Sequence, residues 1–376
     1  MKKLWIFVLL ALLLTTSAPR AQAQSVRGAS AEIIEVVAAM QFPDDNSDVE
    51  LPCPICGETV TWIALHMDAE INTQDTRRLK NRHIYMTGDI VGTDIYDPKS
   101  NTGGFMFRTN KENEHSVIHL NGYALNASQG VLMAEYGEVS IVGDGEAWGR
   151  RNNPDYGSSL DVRGEAAINI YGGTYYRNSP QPMVKILEEG TFNLYRGTLE
   201  GNDGQETGSI RVEGGTCNLY GGLLESGYGS REGSNLTVEP EGTAVIYGGE
   251  LVGGKDGVGG NILTSGTLEI HGGEISGNVK QMDGSLTITG GQFDSAIVAE
   301  NATITGGTFT TDVTEFVKEG VKVSHKDGIC TVGGEDTEPE LPWLWIAVGG
   351  AAVLAAVVLL IVVSKKKNRQ TEPEEA

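Results

Sequence analysis

The stretch "TCNLYGGLLESG", residues 216–227, sets a short alternating run of side chains against a pair of glycines. Cys217 and Leu219 fall on one parity, Asn218 and Tyr220 on the other. That is the period of a strand with one buried face. Gly221 and Gly222 interrupt the run, and Leu224 then brings back an apolar side chain. Near copies recur: "INIYGG" from Ile168, "FNLYRG" from Phe192, "AVIYGG" from Ala244, "LEIHGG" from Leu268, "LTITGG" from Leu286 and "ATITGG" from Ala302. Counting the quoted copy, successive starts lie 24, 25, 27, 24, 18 and 16 residues apart. A period of this size marks a stacked-repeat architecture.

Columns through the copies separate inside from outside. Two places before the first glycine stand Ile170, Leu194, Leu219, Ile246, Ile270, Ile288 and Ile304, all aliphatic. Three places after it, Tyr175, Leu199, Leu224, Leu251, Ile275, Phe293 and Phe309 point inward again, so the chain must bend at the glycines. Arg196 replaces the first glycine in one copy. On the opposite parity, Asn169, Asn193 and Asn218 form one outward column. Tyr171, Tyr195, Tyr220, Tyr247 and His271 form the next.

Each copy is preceded by another short strand, such as "SLDVRG", "SIRVEGG" or "NLTVEPEG". Two or three short strands per turn, joined at glycine-rich bends, predict parallel coils around one continuous core. "HIYMTGDI" from His83, "VIHLNGYAL" from Val117 and "VSIVGDG" from Val139 read as less regular early coils. An antiparallel sandwich or a propeller is the competing all-β reading, and coils of 16 residues argue against both, since a propeller blade needs roughly 40. The ends of such a stack need covers. Residues 25–67, with "AEIIEVVAAM" as a helix, are expected to close one end. A helix over Val313–Lys318, capped by Asp312 with Glu315, and the strands "VKVSH" and "ICTV" are expected to close the other.

On these repeats the chain resembles right-handed parallel β-helix proteins of the pectin-lyase-like type. More narrowly, it resembles bacterial surface proteins that pair a "CPxCG" head, here Cys53–Gly57, with repeated "L-x-I-x-G-G-x-Φ" units. The likeness spans most of residues 53–334. It implies an all-β solenoid and leaves activity open, because such folds carry lyases, hydrolases, adhesins and inert stalks.

The two termini predict export and anchoring. Lys2 and Lys3, the apolar run Leu4–Leu14 and Ala21-Gln22-Ala23 read as a secretory signal cleaved after residue 23. Residues 343–363 carry no charge, are long enough to span a bilayer, and are followed by Lys365, Lys366, Lys367 and Arg369. "LPWLW" at Leu341–Trp345 resembles a sortase signal but lacks its Thr-Gly. The expected product is a single-pass type I protein of a bacterial cell membrane. Its order is signal (1–23), head (24–82), β-helix (83–311), cap (312–334), acidic linker (335–341), transmembrane helix (342–363) and cytoplasmic tail (364–376). Of 28 basic and 50 acidic residues, removing those of the signal and tail leaves 21 against 47. Such acidity argues against nucleic acid as a partner.

Candidate chemistry is sparse. Cys53 and Cys56 have the spacing of half a zinc site, with His66 or His83 as further ligands, but no second cysteine pair follows. A local disulfide, a scaffold role or a redox pair are the other readings of this motif. Cys217 is expected in the core. The run "DDNSDVE" from Asp44 begins like a calcium loop, but Val49 stands where glycine is needed. Tyr171, Tyr195, Tyr220 and Tyr247, flanked by Asn169, Asn193 and Asn218, present aromatic and amide groups able to meet a glycan or a surface protein. Such a ladder also stabilises a parallel sheet without any ligand. The resemblance suggests lyase or hydrolase chemistry as the alternative, with "DGEAWGRRNNPDYG" from Asp144 to Gly157 as its candidate region, but no catalytic signature is present there. The sequence thus predicts a structural or adhesive surface protein.

Overall fold

A computed structural model describes residues 30–66, 78–91, 105–127, 130–149, 158–177, 182–201, 209–226, 235–253 and 261–333. The expected signal and membrane segments lie outside these residues. Among the described residues no helix is long and apolar enough to cross a membrane.

The chain winds as a parallel β-solenoid whose coils present three faces. The first face stacks Thr59–Leu65, His83–Met86, His115–His119 and Glu138–Val142, then the first halves of Ala167–Arg177 and Thr191–Glu200. It continues through Thr216–Leu219, Thr243–Ile246, Thr267–Ile270, Ser285–Ile288 and Ala302–Ile304. Past the glycine corner, strands such as Leu223–Glu225, Glu250–Val252 and Glu274–Ser276 build the second face. The third face runs from Arg78–Leu79 through Leu160–Val162 and Ile210–Val212 to Ile297–Val298. The early segments "HIYMTGDI", "VIHLNGYAL" and "VSIVGDG" join the same ladder as the regular repeats.

The inward columns are buried as expected. Ile170, Leu194, Leu219, Ile246, Ile270, Ile288 and Ile304 belong to one core with Tyr175, Leu199, Leu224, Leu251, Ile275, Phe293 and Phe309. Cys217 lies among them. Burying a Leu or Ile side chain contributes roughly 1.5–3 kcal/mol. The coils therefore hold together through a continuous apolar column.

The glycine pair divides two tasks. A Cβ on Gly221 would stand 2.5 Å from the Tyr195 carbonyl oxygen of the preceding coil. Gly222 has φ +86°, a left-handed angle that side chains resist. Arg196 is tolerated because the register shifts around Tyr171 in the neighbouring strand. Its guanidinium leans outward to within 3.8 Å of Asp144.

The coils shorten toward the C-terminus at one corner. Residues 253–261 join the second face to the third in one coil, whereas Gly277 and Asn278 alone do so in the next. Asparagines entering the third face support this corner. Asn261 Nδ2 donates to the carbonyls of Leu251 (2.6 Å) and Ser276 (2.7 Å), and its Oδ1 accepts from Asn235 Nδ2 at 2.9 Å. The outer side of the third face is charged, with Arg211 pairing to Glu239 at 2.8 Å and Lys185 to Glu213 at 3.2 Å.

Both ends finish in antiparallel pairing. Val49–Pro52 runs antiparallel to Thr59–Leu65, and Ile329–Val332 runs antiparallel to both Gly307–Phe309 and Val323–Lys326. The expected helix over Val313–Lys318 is instead a single 3-10 turn, Thr314–Phe316. Asp312 does accept from the Thr314 N–H at 3.0 Å. Val317, however, is extended and bridges to Ile304, and Lys318 N–H donates to the Ile304 carbonyl. The open edge of the stack captures the backbone before a second helical turn can form.

The N-terminal segment also departs from expectation. Residues 30–38 are helical, but they lie against the outer side of the first face rather than over the end of the stack. Val37, with Ile33, Ile34, Met40 and Phe42, packs on Trp62, Tyr85, Val117, Val142 and Tyr171. Those five occupy outward columns, so among the described residues the head and the sheet beneath it form a second apolar layer.

Candidate functional site

The outward columns continue from under the head along the first face. Tyr171 and Tyr195 stack with ring centroids 4.5 Å apart, Tyr195 and Tyr220 at 4.9 Å, and Tyr220 and Tyr247 at 4.9 Å, all within 7° of parallel. His271 follows at 5.3 Å, and its Nδ1 lies 2.7 Å from the Thr289 hydroxyl. These spacings follow the strand separation of about 4.8 Å. The parallel register, rather than any ligand, sets the ladder. Beside it, Asn193 Nδ2 donates to Asn169 Oδ1 at 2.8 Å, and Asn218 Nδ2 donates to Asn193 Oδ1 at 2.9 Å.

This geometry restricts what the ladder can recognise. A sugar needs a free ring face to stack upon, and both faces of Tyr195 are covered, by Tyr171 and Tyr220. Ring edges and hydroxyls remain on the outside. Tyr171 is only 8% exposed, beneath the head, whereas Tyr195, Tyr220 and Tyr247 are half-buried. Burial pushes the Tyr171 phenol up to about 12, and raises those of Tyr195, Tyr220 and Tyr247 as well. All four keep their O–H groups as donors at neutral pH.

The head supplies the most convergent cluster of chemical groups. Cys53 begins a tight turn between Val49–Pro52 and Thr59–Leu65, in which Cys53 N–H donates to the Glu58 carbonyl at 2.7 Å and Gly57 N–H to the Cys53 carbonyl at 2.8 Å. Cys53 and Cys56 are free thiols, and Cys56 Sγ lies 3.8 Å from His83 Nε2 on the next rung. The two sulfurs and this nitrogen lie within 4.8 Å of one another. His66, just past the far end of Thr59–Leu65, is not part of the cluster. Burial pushes the Cys53 thiol up to about 12 and the His83 imidazole down to about 4. A second group, Asp312, His325 and Cys330, meets at the C-terminal hairpin, where Asp312 and His325 are exposed and only Cys330 is buried.

The other acidic candidates serve local structure. In "DDNSDVE", Asp45 accepts from the Ser47 N–H and hydroxyl, and Asp48 accepts from the Ala64 N–H at 3.0 Å. Asp144 is exposed beside Arg196, and residues 150–157 of that loop lie outside the described residues. On the second face a cleft of about 380 Å³ is lined by Glu250, Glu274, Gln292, Asp294, Thr308 and Ile329.

The outward columns of the repeats mark the tyrosines and asparagines. They do not mark Phe42, Trp62 and Tyr85, whose rings sit together, with Phe42 stacked on Tyr85 at 4.3 Å and edge-on to Trp62 at 5.4 Å. Trp62 and Tyr85 carried a signal as aromatic residues on outward parity in the earliest strands, whereas Phe42, ahead of the first strand, carried none. Comparison with protein families, with curated proteins and with solved structures gives no match.

Proposed function

We propose that the chain is a membrane-anchored surface protein of a bacterial cell, with a structural or adhesive role. In this reading the parallel stack is a stiff scaffold, and the outward ladder from Tyr195 to Tyr247 is its contact surface for an extracellular glycan or surface protein. The observation that carries the reading is the ladder itself. It places phenol hydroxyls and ring edges at a repeat of about 5 Å along a sheet backed by one continuous apolar core. Such a row suits a linear, repetitive partner rich in hydroxyls, met by hydrogen bonds and edge contacts instead of ring stacking. The strong negative charge of the chain favours neutral or basic partners over nucleic acid.

The test is incubation of the full chain with a panel of polysaccharides, with and without calcium. Retention without shortening of the polymer is the expected outcome. Release of reducing or unsaturated ends would move the chain to the alternative, a membrane-tethered lyase or hydrolase acting near Asp144.

A further inference from the structure

The head holds a constellation that the ladder does not explain. Cys53 and Cys56 stand on one tight turn, made possible by Gly57 at φ +71°. The N–H of Cys56 points at Cys53 Sγ at 3.4 Å, and that of Ile55 is directed at the same sulfur. Burial, the larger influence, pushes this thiol up, and the two backbone donors serve to orient the sulfur. The third group, His83, comes from a different element, the strand His83–Met86. It presents Nε2 to Cys56 Sγ at 3.8 Å. Its ring orientation is set by Trp62, edge-on at 5.2 Å.

The distances match those that a tetrahedral ion imposes on its ligands. Zinc bonds sulfur at about 2.3 Å and imidazole nitrogen at about 2.0 Å, so neighbouring ligand atoms lie roughly 3.5–3.8 Å apart. The observed 3.8 Å contact fits that figure, and the other pairs, within 4.8 Å, would close by at most about 1 Å on binding. Cys53 is 1% exposed and His83 7%, so both are held away from bulk solvent, while Cys56 opens toward it. We infer that Cys53, Cys56 and His83 bind one zinc ion, with the fourth position taken by solvent on the Cys56 side.

The ion ties the head hairpin to the rung beyond it. Cys53 and Cys56 belong to the turn between Val49–Pro52 and Thr59–Leu65, and His83 belongs to the next first-face strand, His83–Met86. A bridge at this point fastens the edge of the stack, where Trp62 and Tyr85 anchor the helix at residues 30–38. A cystine between Cys53 and Cys56 would close only its own turn and would leave His83 idle.

The test uses the full chain, purified in detergent without reductant or chelator, with metal content and denatured thiol count measured on the same sample. One zinc per chain and four titratable thiols are expected. Cobalt exchanged for zinc should give sulfur-to-cobalt charge-transfer absorption and the intense visible bands of a tetrahedral site. His83→Ala should weaken zinc about tenfold or more, at least the loss known for mere supporting residues. His66→Ala should leave affinity unchanged. Since Cys53→Ser also perturbs a buried turn, the cobalt spectrum of the unaltered chain provides the ligand count independently of that variant. A metal-free chain with two thiols missing until reduction would overturn the inference in favour of a disulfide. Zinc that survives His83→Ala but is lost in His66→Ala would overturn the ligand set.

Discussion

Gly222 and Gly320 share a φ of +86° but not their surroundings. A Cβ on Gly222 would lie 2.8 Å from the Gly197 carbonyl oxygen and 3.0 Å from Leu194, whereas none lies within 4 Å at Gly320. Gly320→Ala should therefore cost only the backbone term, about 1–2 kcal/mol. Gly222→Ala should cost measurably more in the same denaturant titration, because the neighbouring coil must move. Equal costs would mean that close approach is unimportant at this corner. His119 offers a pH test. Burial holds its imidazole down to about 4, against weaker upward pulls from the Val37 carbonyl and Asp144, and its Nδ1 accepts from the Asn121 N–H at 3.0 Å. The unfolded chain protonates the same group near 6.5. Stability from this residue is thus complete above about pH 6.5 and falls as pH drops toward 4, by roughly 3 kcal/mol in all. Replacing His119 with Gln should flatten that part of the pH–stability profile. The glycine corner was legible in the sequence from its spacing. The buried histidine was not, because its cover comes from residues some 80 positions earlier in the chain.

At the scale of elements, the repeats were legible and the covers were not. Period-two columns report which side of a strand meets the core, and Leu219, Ile246 and Ile270 obey them. They do not report whether the other side is also covered. The apolar outward residues Trp62, Tyr85 and Val142 carry that information, yet read alone they look like irregular early coils. Likewise Asp312 and Glu315 spell a helix start, but the edge of the stack outcompeted the helix by pairing with Val317. The asparagine ladders separate by burial. Asn261 is fully buried and bonds two carbonyls and Asn235, so Asn261→Ala should cost about 3 kcal/mol by leaving those groups unpaired. Asn193→Ala removes two bonds in a half-buried ladder and should cost about 1 kcal/mol. Chemical denaturation of both variants checks the order. A reversed order would place the stabilising amides on the outer face.

For the whole molecule, a stack in which each coil meets only its neighbours should tolerate removal of one complete coil. Deleting Thr243–Gly266 brings Thr216–Leu219 against Thr267–Ile270, Asn235 against Asn278, and Tyr220 against His271. The shortened chain should keep its β-type circular dichroism and unfold cooperatively, with a smaller denaturant slope because less surface is exposed. Loss of cooperative unfolding would show that the coils are not interchangeable. The contact role proposed for the outer face of that stack is probed by Tyr220→Phe. The substitution keeps the ring between Tyr195 and Tyr247 and removes only the hydroxyl. On a polysaccharide that retains the unaltered chain, retention should fall about three- to tenfold, the worth of one hydrogen bond. Unaltered retention by Tyr220→Phe, or cleavage of the retained polymer, would contradict it.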